Sequence, residues 1–267
     1  MSHITTESRA EFSATSKKIK ELIQECLKKE KEYLATMTSD NSGTEYKKIL
    51  LAEQMLYIST LYISINTQSL AILGTKNNDA LNDARKMIYK SVIYLEEVVS
   101  SFVDCPFSDL DKYLEKITNV PIEKRLYLVR KIGLVIQLLS DALGDNSKWK
   151  WSFIELRGRY TAVAKNFIDM KQACKDYFDP SSPDYENSVL YIRLVRKLLD
   201  RTSEEYRSKY ELSTRRIDDM KSGINFLIAN RRVAMALGDN DESEEIRKKA
   251  IAWKAKMEAD QKAGSSN

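Results

Sequence analysis

The side chains that most often do chemistry near neutral pH are scarce and scattered in this chain. It has one histidine, His3, and three cysteines, Cys26, Cys105 and Cys174, far apart in sequence. Histidine is the commonest general acid–base group and metal ligand at this pH, and a zinc or di-iron centre needs Cys/His clusters or Glu-x-x-His pairs that are not present. No glycine-rich stretch has the form of a phosphate loop. The adjacent acid pairs Glu96-Glu97, Glu204-Glu205 and Glu244-Glu245 point about 100° apart on a helix, so they are poorly placed to share one proton or metal and read as surface. Trp149 and Trp151 read as the lock of a helix corner rather than a platform for a ligand. The residues therefore point away from an enzyme and imply no cofactor and no metal.

Charge narrows the partners further. Against 39 acidic residues stand 43 basic ones, a net charge of +4, without the basic bias of nucleic-acid binders. An odd number of cysteines and a polar start with no signal peptide lead us to expect a cytoplasmic protein with reduced thiols. Residues 54–75 carry no charge over 22 positions, long enough to cross a bilayer. Ser59, Thr60, Ser64, Asn66, Thr67, Gln68 and Ser69 would be costly in lipid, so the expectation is a central helix buried among other helices, where side-chain and backbone hydrogen bonds can satisfy them.

These residues must be positioned by helices. Apolar side chains recur at spacings of three and four along most of the chain, and Pro106, Pro121, Pro180, Pro183 and a series of glycines cut it into about nine antiparallel helices. The expected spans are 6–36 (with a possible break near Ser13), 45–73 ended by Gly74, 79–103, a short piece 109–118 capped by Ser108 with Asp111, and 121–143 turned at Gly144. Then come 147–178, and 183 to about 199. A second capping box at Thr202 to Glu205, followed by Gly223 and Gly238, sets two or three more. Residues 241–260, with Ile246, Ala250, Trp253 and Met257 at helical spacing, are either the last helix of the fold or an extra one lying in its groove.

Several ordered pieces resemble the 14-3-3 family. Cys105 followed by Asp109, Leu110, Asp111, Lys112, Tyr113, Leu114, Glu115 and Lys116 resembles the cysteine-then-Leu-Leu-Glu-Lys end of that family's fourth helix. Glu123, Lys124, Arg125, Leu126, Tyr127 and Leu128, running on to Ala142, Leu143, Gly144 and Asp145, resembles its fifth helix. Pro180, Ser181, Ser182 and Pro183 fall where the family carries Pro-Thr-His-Pro before its seventh helix. The resemblance covers 105–200 and extends over 45–104 mainly through helix length. It implies an all-α, cupped, tetratricopeptide-related fold in one domain over 1–267: a dimerising half 1–104, a groove-forming half 105–240, and a final or extra helix and tail 241–267.

The family grips a phosphoserine or phosphothreonine with a lysine and an arginine of its third helix and an Arg-Tyr pair of its fifth, because guanidinium groups bind a dianionic phosphate bidentately. Those positions align here to Leu56, Ile63 and Ile136-Gln137, and residues 49–75 contain no Lys or Arg at all. The family's peptide-orienting asparagine aligns to Tyr191, with Leu194 beside it at the groove. A phosphate would need a substitute cation. Arg130 is the best placed, seven residues before Gln137 and so on the same helix face; Lys131 is next, then Arg193, Arg196 and Arg231. For each of them the bland alternative is a solvated basic residue on a helix exterior. By resemblance, then, the chain is a dimeric cytoplasmic adaptor in signal transduction. It binds a segment of a partner protein, phosphorylated or not, with Leu56, Ile63 and Tyr191 supplying apolar contact, and it engages neither nucleic acid nor membrane. A tetratricopeptide-like scaffold with no phosphate dependence is the alternative.

Overall fold

The computed structural model describes residues 5–144 and 150–264; His3 and Trp149 lie outside them. Among the described residues there are ten α-helices and no strand: α1 (Thr6–Ser39), α2 (Thr44–Leu73), α3 (Asn78–Val98), α4 (Phe107–Leu114), α5 (Ile122–Leu143), α6 (Lys150–Asn166), α7 (Met170–Tyr177), α8 (Tyr185–Lys209), α9 (Ile217–Ala236) and α10 (Asn240–Gly264). A 3₁₀ turn (Glu115–Ile117) extends α4, and a π-helical turn (Tyr210–Thr214) follows α8. The expected helices at 45–73 and 121–143 agree to within a residue. Their ends follow from glycine's tolerance of the left-handed region: Gly74, Gly144 and Gly238 have φ of 65°, 80° and 72°.

The chain divides into two compact units. The first is Met1–Val98 with Leu128–Lys148, and the second is Val99–Tyr127 with Trp149–Asn267. In the first unit α2 packs against α1 and α3. Three of its polar side chains find the expected partners: Ser59 Oγ donates to the Ala84 carbonyl (3.1 Å), Ser69 Oγ to the Thr75 carbonyl (2.8 Å), and Asn66 Oδ1 accepts from the Asn77 N–H (2.9 Å), whereas Gln68 Oε1 is buried without one. The helix is long and apolar enough to cross a membrane, yet only 33% of its most apolar window is buried. The expected central buried helix is therefore apolar all round and only partly covered. A second tie joins α1 to α3: the buried Glu30 carboxylate accepts from Tyr94 Oη (2.5 Å) and pairs with Lys90 (2.6 Å).

In the second unit α8 packs against α6, α7 and α9, and α10 lies along α9. Ile246, Trp253 and Met257 of α10 join Met220, Leu227 and Tyr210 in one core cluster. The apolar side of α10 is thus spent on its own unit, where removing the helix would strip a core.

Six local expectations are corrected. Helix α1 runs unbroken through Ser13, whose carbonyl accepts from Ser16 Oγ. The span 147–178 is two helices, because Asp169 caps α7 by accepting the Gln172 N–H (3.0 Å), while Phe167 and Ile168 keep the apolar pattern continuous across the break. Ser108 caps nothing: α4 begins at Phe107 and the Ser108 hydroxyl donates to Asp109. Nor do Thr202 and Ser203 start a helix. They are buried inside α8, where Thr202 meets Thr161 hydroxyl to hydroxyl (2.8 Å) and Ser203 Oγ donates to the Asp200 carbonyl. Gly223, expected as a breaker, sits inside α9 because a Cβ there would come within 3.1 Å of the Ser203 carbonyl and 3.3 Å of the Trp253 ring. Helix α3 also stops at Val98, short of 103.

Candidate functional site

Helix α5 is two-faced within the first unit. Val129, Ile132, Val135, Ile136 and Leu139 are buried, whereas Arg130, Leu134, Gln137 and Leu138 point to solvent. Leu134 and Leu138 are 60% and 43% exposed, and the period of the helix puts both on one face with Arg130 beside them. Two contacts place α5 alongside α2. Lys131 Nζ meets Glu53 Oε1 at 2.5 Å, and Lys76 Nζ, just past the end of α2, donates to the Leu143 carbonyl at 3.3 Å. Start meets start and end meets end, so the two helices run in the same general direction. Tyr57, one turn after Glu53, is 47% exposed. Tyr57, Leu134 and Leu138 are thus exposed apolar side chains on two helices that the Lys131–Glu53 ion pair joins.

The expected groove residues divide. Leu56, Ile136 and Tyr191 are core side chains, so Leu56 and Tyr191 do not offer a partner the apolar contact expected of them. Ile63 and Leu194 are half-buried. Tyr191 lies wholly inside the second unit with its hydroxyl unpartnered, and burial pushes its phenol far above the usual range. Among the cations, Arg130 is exposed and makes no ion pair among the described residues, while Lys131 is engaged by Glu53. Gln137 donates to Asp141 (2.7 Å), so its amide is spent on a carboxylate of its own helix. In the second unit, Arg196 pairs with Asp239 and Glu242, Arg193 is exposed, and Arg231 is half-buried with its Nε unpartnered. A phosphate clamp needs convergent guanidinium groups; the described residues of the first unit place one free cation, Arg130, beside Leu134.

The second unit carries a polar arrangement that the sequence did not announce. Loop 99–106 has no helix of its own, yet three side chains hold its carbonyls. Asn166 Nδ2 donates to Ser100 (2.9 Å) and Phe102 (3.0 Å), Lys165 Nζ to Cys105, and Arg232 Nη1 to Asp104. Lys165 and Asn166 are fully buried. Burial lowers the Lys165 amine to about 8; the Cys105 thiol and Asp104 act against that lowering, and Arg232 adds to it. The only hint in the sequence is a Lys-Asn pair inside the apolar run 162–168.

A cleft of about 350 Å³ opens between α4 and α7, lined by Asp111, Glu115, Arg125, Asp169 and Lys171 among others. Arg125 gives its donors to the carbonyls of Ile117 (2.8 Å), Val120 (2.8 Å) and Phe167 (3.2 Å), and Lys171 pairs with Asp111 (2.5 Å). Arg125 is thus spent on the backbone, and Lys171 and Asp111 on each other. No group of three His, Cys, Asp or Glu side chains that could hold a metal ion is found among the described residues.

No curated protein and no solved structure matches the chain, and nothing in the comparisons links it to the 14-3-3 family. The profile of the TP0443 family matches residues 8–261, from the first turn of α1 to the last turns of α10. By that match over all ten helices, the chain belongs to the TP0443 family.

Proposed function

We propose that this protein is a non-enzymatic adaptor that captures an apolar segment of a partner protein on the exposed apolar side chains of α2 and α5, without requiring phosphate. The observation that carries the reading is the exposure of Tyr57, Leu134 and Leu138 on two helices joined by the Lys131–Glu53 pair, with Arg130, among the described residues, as the one free cation beside Leu134. An apolar side chain left in water on a helix face forgoes about 25 cal/mol per Å² that a partner's apolar surface can recover. The 14-3-3-like layout and the dimer belong to the same proposal and rest on the sequence resemblance, and the cytoplasmic setting rests on the odd number of cysteines.

The test is fluorescence polarisation with a degenerate phosphoserine peptide library and its unphosphorylated twin, on the wild type, Leu134→Glu and Arg130→Ala. Equal binding of both libraries, weakened about tenfold or more by Leu134→Glu and less than about twofold by Arg130→Ala, is expected. Phosphate-dependent binding lost in Arg130→Ala would replace this reading with that of a rewired phosphopeptide reader. Absence of binding, or binding indifferent to Leu134→Glu, would refute these side chains as the site.

A further inference from the structure

Asp176 sits where a carboxylate is least favoured. It is 8% exposed and stands in the last turn of α7, where the helix dipole opposes a negative charge. Its side-chain hydrogen bonds fall on one oxygen, Oδ1, which accepts from Gln172 Nε2 (3.1 Å) and Ser182 Oγ (2.9 Å). Both donors are neutral. Among the described residues Asp176 forms no ion pair and Oδ2 accepts no hydrogen bond. A buried carboxylate normally has a cation beside it, and a ligand that brought one would relieve the cost of burying this charge.

There is room for such a ligand. Asp176 lines a cavity of about 200 Å³ between the entry to α5 and α7, adjoining the cleft already described. Asp169 and Asp184 line it too, so three carboxylates face one cation, Arg125. The printed bonds of that guanidinium run to backbone carbonyls. Asp169 Oδ1 accepts the Gln172 N–H, and Asp184, the N-cap residue of α8, makes no side-chain cap bond. Val120, Pro121 and Ile122 supply an apolar wall. Among the described residues no three acids are grouped closely enough to hold a metal ion. Separated carboxylates beside an apolar wall suit ammonium groups carried on a methylene stem.

We propose that this cavity binds an aliphatic ammonium ion. Asp176 Oδ2 is the buried acceptor, Asp169 and Asp184 are the further acceptors, and Val120, Pro121 and Ile122 cover the methylenes. The same chemistry is offered by a free diamine and by the lysine side chain of a peptide, and the two are separated by their relative affinities.

The test is isothermal titration calorimetry of the full-length protein with putrescine, butylamine and Nα-acetyl-lysine methylamide at one fixed ionic strength, on the wild type, Asp176→Asn and Asp184→Asn. Asparagine keeps an oxygen for Gln172 and Ser182, so Asp176→Asn isolates the charge. Saturable binding of one amine per chain is expected, weakened about tenfold or more by Asp176→Asn. Asp184 is exposed, so Asp184→Asn leaves the fold intact and should weaken binding about threefold. Butylamine, with one ammonium, should bind more weakly than putrescine. Putrescine binding tighter than the lysine analogue assigns the cavity to a free diamine, and the reverse order assigns it to a peptide-borne lysine. In the absence of any amine, Asp176→Asn should melt at a higher temperature than the wild type, since it removes an unpaired buried charge. No saturable binding of any of the three amines, or binding that both substitutions leave unchanged, would overturn the proposal.

Discussion

Replacing Lys165 by methionine should change how stability depends on pH more than it changes stability at neutrality. In the folded chain the amine sits at about 8, whereas its ordinary value is 10.5. Between those values the unfolded chain holds a proton that the folded chain does not, so folding stability rises with pH across the window. Every pH unit of that window is worth about 1.4 kcal/mol, so the full rise is roughly 3 kcal/mol. Below 8 both states are protonated and the slope vanishes. The useful range is pH 8 to 9.5, worth roughly 2 kcal/mol, because higher pH brings in the phenols. Burial pushes Tyr94, Tyr160 and Tyr191 far up and Tyr210 to about 12, and a raised phenol makes stability fall once pH exceeds its ordinary value of 10. Methionine keeps the length of the side chain, removes the desolvation cost, and leaves the Cys105 carbonyl without its donor, a loss of about 1 to 3 kcal/mol. The two effects nearly cancel at pH 7. Urea unfolding followed by tryptophan fluorescence at pH 7, 8 and 9.5 should therefore show near-equal stability at pH 7. At pH 9.5 the wild type should be ahead by roughly 2 kcal/mol. A wild-type advantage that does not grow between pH 8 and 9.5 would refute the assigned cost of burying this amine.

Two other substitutions test the packing. Gly223→Ala gains about 1 kcal/mol of helix propensity, but its methyl meets the backbone carbonyl of Ser203, which cannot swing aside; a net loss of about 1 kcal/mol, read as a lower melting temperature, is expected. Glu30→Ala removes the acceptor of the buried Tyr94 hydroxyl and the partner of Lys90; it should cost about 2 to 3 kcal/mol in urea unfolding, and Glu30→Gln less, since an amide oxygen can still accept.

The helix ends were legible where a single residue decides them. Gly74, Gly144 and Gly238 adopt the left-handed backbone that other residues avoid, and Pro121 precedes the first turn of α5. The break between α6 and α7 was not legible, because no glycine or proline marks it and Phe167 and Ile168 are buried on both sides of the bend. Thr202 and Ser203 misled for the opposite reason. Their hydroxyls suit a cap equally well, and only the nearness of Thr161 turns them into interior hydrogen bonds. For the candidate site, the absence of any cation over 49–75 could be read directly, and so could the shared face of Arg130 and Gln137.

By itself the sequence determined an all-helical chain, the positions of most helix ends, and an apolar second helix without the charges a phosphate clamp requires. Those are local properties, set by period, backbone preference and residue type. The tertiary structure alone decided that Leu56 is core while Tyr57 is surface, and that Ile136 is inside while Leu134 is out. A helix apolar all round has no face marked for burial, so its neighbours choose. It alone also decided that Lys165 serves a carbonyl sixty residues away. A buried amine must find its acceptor wherever the fold brings one, and no spacing along the chain records that choice.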